Sequence, residues 1–178
     1  GPLIIRGLMD QEFVYTDLSG SAQTVAPIVC GATFGVIYPG YGGTSSLGAM
    51  LTDTGECAFT RNPTQVLVVD GRTGYIYTPT AGTLVSLEGL ATAAWFPAGA
   101  LSCCFLAGRF WANSPTTGRA YYSDLNDGLN GLSTQYVTAE ADPDALVSVA
   151  TDHGELLLFG EYTTEFWAPS SGTNPVSR

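Results

Sequence analysis

A short apolar run, a tight glycine-containing turn and a second apolar or aromatic run recur along this chain. No other feature restricts its fold as much. One unit is Val66 to Val69, Asp70-Gly71-Arg72-Thr73-Gly74 and Tyr75-Ile76-Tyr77, whose Asp-Gly start supplies the positive-φ positions of a hairpin. A second is Leu101 to Leu106, Ala107-Gly108 and Arg109-Phe110-Trp111, and a third is Leu146 to Ala150, Asp152-His153-Gly154 and Glu155 to Gly160. The turn glycines Gly71, Gly108 and Gly154 stand 37 and 46 residues apart, close to the roughly 40 to 50 residues of a four-stranded propeller blade. Outer hairpins follow, as in Arg119 to Ser123 and Glu165-Phe166-Trp167, and the inner strands read as the more apolar ones. Pro27 to Phe34 with Gly35-Val36-Ile37-Tyr38 reads as a further unit, followed by the loop Gly40-Tyr41-Gly42-Gly43.

The expectation is an all-β chain of antiparallel β-propeller-type blades, about four in 178 residues. With 45% hydrophobic residues, 12% charged residues and mean hydropathy +0.17, residues 1–178 can bury a core as a single domain or fragment. Long helical periodicity is absent. Four units and an abrupt start and stop suggest a partial propeller from a longer chain, with exposed edges that favour pairing with another copy.

Charge excludes several functions. The 6 basic residues are all arginine, against 16 acidic ones, for a net charge of -10. Without lysine there is neither a P-loop lysine nor a Schiff base. Without a basic patch the counterion release that drives DNA affinity has no source. An acidic wall instead suits a channel through which DNA slides without being held. Cys30, Cys57, Cys103 and Cys104 lack metal-ligand spacing and read as buried thiols of a soluble protein kept in a reducing compartment. No leader and no apolar run of about 20 residues is visible.

The candidate chemical groups each have a plainer reading. His153 is the only histidine, and a turn residue explains it better than a general base without partners. Asp124-Leu125-Asn126-Asp127-Gly128-Leu129-Asn130 could hold calcium but misses EF-hand spacing, and Asx turns explain it. Glu140, Asp142, Asp144 and Glu155 could supply a glycosidase pair, but Pro143 breaks the strand and leaves a charged loop. Trp95, Trp111, Trp167, Tyr121 and Tyr122 could stack sugars or bases, yet more often such residues fill the space between blades. The reading is a chain without catalytic residues, cofactor or metal.

The ordered series Gly108-Arg109-Phe110-Trp111, Gly118 to Gly128, Ala139 to Asp144, Gly154 to Gly160 and Thr164-Glu165-Phe166-Trp167, with Val68 to Gly71 and Gly74 to Tyr77 upstream, resembles the packaged-DNA stabilisation proteins of short-tailed phages. The resemblance covers about residues 65 to 167 and, more loosely, the chain from Leu3 onward. Gly131 departs from it, because relatives tend to carry a Trp after the Asp-Gly turn. The resemblance implies a structural virion component, assembled in the host cytoplasm into a multi-copy tail nozzle or plug below the head-to-tail connector. Such a part contacts other tail proteins, retains packaged DNA and forms part of its exit channel without gripping it. It also implies longer relatives. The competing reading is a carbohydrate-binding or carbohydrate-cleaving propeller that recognises host glycans.

Overall fold

The computed structural model of the chain describes residues 5–9, 13–16, 19–25, 28–31, 36–39, 46–140 and 144–178. None of these is helical. They form four antiparallel four-stranded sheets in chain order, as expected of propeller blades. The first blade holds β1 (Ile5–Met9), β4 (Ile28–Gly31), β5 (Val36–Pro39) and β6 (Gly48–Ala49), and a separate hairpin of β2 (Phe13–Thr16) and β3 (Ala22–Val25) is inserted after β1. The expected early unit is therefore the β4–β5 hairpin, and its glycine-rich loop lies outside the described residues.

The other three blades are simple meanders. Blade two is β7 (Ala58–Arg61), β8 (Val66–Val69), β9 (Gly74–Thr78) and β10 (Thr83–Ser86). Blade three is β11 (Cys103–Leu106), β12 (Arg109–Asn113), β13 (Arg119–Tyr122) and β14 (Tyr136–Thr138). Blade four is β15 (Leu146–Asp152), β16 (Glu155–Gly160), β17 (Thr164–Pro169) and β18 (Val176–Ser177). First strands pack on first strands, β1 on β7, β7 on β11 and β11 on β15, which is how blades fan from one axis.

Strand alternation assigns each side chain to a seam between blades. On β8, Val66 and Val68 enter the core shared with blade one, while Leu67 and Val69 enter the core shared with blade three. On β12, Phe110 and Ala112 face blade two and Trp111 faces blade four. The adjacent thiols of Cys103 and Cys104 divide in the same way between two seams. Continuous apolar runs such as Val66-Leu67-Val68-Val69 follow, because a middle strand is covered on both faces.

Two expectations need correction. The glycine-turn period mixed non-equivalent turns: Gly71 lies between the second and third strands of its blade, whereas Gly108 and Gly154 lie between the first and second. The first strands begin at Ala58, Cys103 and Leu146, so the real spacing is 45 and then 43 residues. The turn equivalent to Gly108 in blade two contains no glycine, being Asn62-Pro63-Thr64-Gln65. Second, the inner strands are not the most buried. All four residues of β7 are half-buried, while all four of β8 are buried, because β8 has a strand on each side and a seam on each face.

Candidate functional site

The seams concentrate the buried polar chemistry of this chain, and each is stitched by different groups. Between blades one and two the buried Arg6 of β1 reaches into the loop 52–55. Its Nε donates to Gly55 O at 2.7 Å, Nη1 to Thr52 O at 2.7 Å, and Nη2 to Thr52 Oγ1 at 2.8 Å and to Thr54 O. Thr52 Oγ1 donates onward to Asp70 Oδ2 at 2.7 Å, and Tyr75 OH donates to the same oxygen at 2.9 Å. Asp70 Oδ1 accepts the backbone N–H groups of Arg72 and Thr73, an Asx turn that closes the β8–β9 loop. Burial pushes the Asp70 carboxyl up, but the bonds from Thr73, Thr52, Arg72 and Tyr75 together hold it below the ordinary carboxylate value. Burial also pushes the Tyr75 phenol up.

Between blades two and three the fit is largely by shape. Trp95, fully buried in the β10–β11 connection, donates Nε1–H to Gly128 O at 3.0 Å. Gly128 N donates to Gln65 Oε1 at 2.8 Å, and Asn62 Nδ2 donates to Asn126 O at 3.1 Å, so the β7–β8 turn grips the long β13–β14 connection. A Cβ on Gly128 would stand 2.4 Å from Ile76 Cδ1. Gly131 packs against the same tryptophan. Its φ is +148°, its N–H donates to Thr92 O, and a Cβ there would lie 2.7 Å from Trp95 Cδ1. Trp95 occupies the space against which residue 131 packs.

The acidic loop 124–130 is held by its own Asx chemistry. Asp127 Oδ1 accepts Leu129 N and Gln65 Nε2, and Oδ2 accepts Asn130 Nδ2. Burial raises the Asp127 carboxyl, and these bonds more than offset it, leaving it below the ordinary value. Among the described residues no group of three His, Cys, Asp or Glu is placed to hold a metal ion.

Blades three and four are joined through Asn113, whose Oδ1 accepts Leu101 N, Ser102 N and Ser102 Oγ, and whose Nδ2 donates to Leu146 O at 2.9 Å. Val149 N donates to Ser102 Oγ at 2.8 Å. The buried Glu165 accepts Glu140 N on Oε1 and Trp167 Nε1 on Oε2. Asn113, Gln65 and Arg6 are single polar residues beside apolar runs and carry no spacing signal in the sequence, and Glu165 reads there only as part of an outer hairpin; of the turns, the one starting at Asp70 was legible.

The structure gives the carboxylates considered for catalysis different surroundings. Glu140 and Asp144 line one open cleft of about 610 Å³ with Thr116, Thr117 and Thr138. Asp144 is committed to the β16–β17 turn, where Oδ2 accepts Tyr162 N, Thr163 N and Thr163 Oγ1. Those bonds, led by the one from Tyr162, hold its carboxyl below the ordinary value. Glu155 lies beside the β15–β16 turn, and Asp142 lies outside the described residues. His153 occupies that same turn with φ +47°, its side chain 90% exposed, with Nδ1 2.7 Å from Asp152 Oδ1. Trp95, Trp111, Trp167 and Tyr122 are buried, and half-buried Tyr121 packs on Tyr136, so the aromatics fill seams instead of forming a platform.

Positive charge is likewise occupied. Arg72 pairs with Glu88 at 2.9 Å, Arg109 donates to Ser123 O and lies over the Tyr122 ring, Arg119 lies 4.2 Å from the Tyr136 centroid, and Arg178 approaches Glu165. Arg6, inside its seam, is likewise engaged.

A family model described as "Bacteriophage P22 Gp10, beta-propeller", for phage stabilisation proteins, matches residues 18–177. No curated protein matches. Among solved structures the computationally designed Ika4 protein aligns with TM-score 0.56 at 12% identity, over 93% of this chain and 91% of that one. The computationally designed Ika8 protein aligns with TM-score 0.46 at 9% identity, over 96% of this chain and 60% of that one. The likeness to Ika4 is one of fold.

Proposed function

The chain belongs to the phage stabilisation family, the β-propeller family of bacteriophage P22 Gp10, and on that premise we propose that it is part of the tail nozzle or plug below the head-to-tail connector. There it helps retain packaged DNA and forms part of the exit channel, as a multi-copy component that contacts other tail proteins. Family membership makes it a structural virion protein; its place in the tail, its partners and its assembly in the host cytoplasm are the proposal.

The observation that carries the mechanism is the state of the cations. A protein that grips duplex DNA offers arginine and lysine to phosphates. Here lysine is absent, and Arg6, Arg72, Arg109, Arg119 and Arg178 are engaged with carbonyls, carboxylates or aromatic rings. Such a wall closes the head mechanically and lets DNA pass. The glycan reading draws no comparable support, because the tryptophans are sealed in the seams and Asp144 is committed to a turn.

Nuclease protection of packaged DNA tests this role. Particles assembled without the protein are expected to fill and then lose their DNA or expose it to nuclease. Particles that keep their DNA protected without it would overturn the proposal.

A further inference from the structure

We propose that the Asn130–Gly131 link is a deamidation site, which the seam between blades two and three holds unreacted for as long as that seam stays closed. Asn130 alone among the asparagines precedes a glycine. Asn62 and Asn174 precede proline, whose nitrogen carries no hydrogen to lose. Glycine has no Cβ to shield its nitrogen from the preceding side chain. Water is the one co-reactant. The Gly131 nitrogen gives up its proton and attacks Asn130 Cγ; the N–Cγ bond forms as the Cγ–Nδ2 bond breaks, and the amide leaves as ammonia with that proton. Water then opens the cyclic imide. Cleavage of the new bond gives aspartate, and cleavage of the original peptide bond gives isoaspartate, whose main chain runs through Cβ and Cγ.

The fold ties down each reacting group. Gly131 is buried, its N–H donates to Thr92 O at 2.9 Å, and its carbonyl accepts Trp95 N at 3.2 Å. A neutral carbonyl does not take the proton whose loss makes the nitrogen a nucleophile, and burial keeps solvent bases from it. The leaving amide is held as well: Asn130 Nδ2 donates to Asp127 Oδ2 at 2.7 Å, and Asn130 O accepts Asp124 N at 2.9 Å. Trp95 stands against Gly131 and is itself anchored by Nε1–H on Gly128 O. The two connections that fill this seam, 87–102 and 123–135, must part before the Gly131 nitrogen can lose its proton and turn toward Asn130 Cγ.

The reaction makes an opening of this seam permanent. Aspartate at position 130 sets a second carboxylate against Asp127 Oδ2, where an amide donated before, and like charges in contact repel. Isoaspartate lengthens the main chain by a methylene, which carries Gly131 away from its bonds to Thr92 and Trp95. Loss of the same N–H proton governs hydrogen exchange at Gly131, so openings that expose it feed both processes. The inference stands on these contacts and is independent of the tail role.

Peptide mapping by mass spectrometry of the chain aged at neutral pH, with and without unfolding guanidinium chloride, tests the proposal. Conversion at Asn130 is expected to be at least about tenfold slower in the folded chain than in the unfolded one. Trp95→Phe, which removes the bond to Gly128 O and leaves an apolar ring in the seam, is expected to speed conversion and Gly131 amide exchange together in native buffer. Asn130→Asp, the product of the reaction, is expected to lower the melting temperature. No conversion even in the unfolded chain would overturn the site. Equal rates in folded and unfolded chains, or a folded Trp95→Phe protein in which exchange rises at Gly131 and conversion does not, would overturn the latch.

Discussion

The seam between blades one and two and the seam between blades two and three solve one packing problem by different means. The first embeds a buried guanidinium, a threonine relay and a carboxylate among apolar neighbours such as Met9, Val66 and Tyr77. The second closes around Trp95, with glycine at positions 128 and 131 where any side chain would collide. A hydrogen-bonded weld fixes orientation but depends on the ionisation of Asp70; a packed plug depends on volume, and acid reaches it only through Asp127, which accepts Gln65 Nε2 beside it. Blades of one architecture can therefore respond differently to the same solution conditions.

Trp95→Ala should break the second seam outright, costing about 3 to 5 kcal/mol in denaturant unfolding at every pH, as expected for a large buried aromatic. Arg6→Ala should cost about 2 to 3 kcal/mol, because it leaves several carbonyls and Thr52 without their donor. Asp70→Asn should cost about 1 to 2 kcal/mol at neutral pH and separates the seams by their acid response. Asp70 has a folded pKa below the ordinary carboxylate value, so its stabilisation is complete above the unfolded value and disappears as the pH falls through the folded one. Melting followed below about pH 4 should then fall less steeply for Asp70→Asn than for the wild type, while Trp95→Ala keeps the wild-type slope. The remaining acid response comes from Asp127 and Asp144, which are held low in the same sense. His153→Asn should change stability by no more than about 0.5 kcal/mol, and towards stabilisation, since asparagine is favoured before glycine in a two-residue hairpin turn.

These two seams also show what the sequence made legible. Alternating apolar runs and Gly turns gave the all-β architecture and about four units, because strand period and turn chemistry are local. The register of the repeat was not legible, since the turn at Asn62 replaces glycine with an Asx turn and so hid the first hairpin of blade two. Trp95 could be read as a seam residue from its type, but not its lodging against Gly131, which is 36 residues further along. Arg6, 64 residues before Asp70, gave no local sign of joining it through Thr52. Groups that act across seams become visible only when the blades are brought together.

Duplex DNA binding measured by fluorescence anisotropy across a salt series tests most directly whether this protein works by mechanical closure without gripping DNA. The account predicts no retention at physiological salt and a log K against log salt slope near zero, because the chain has few cations and they are engaged within the fold. Tight binding that falls steeply with salt would contradict it, since that behaviour requires phosphate contacts that these arginines, as placed, do not offer.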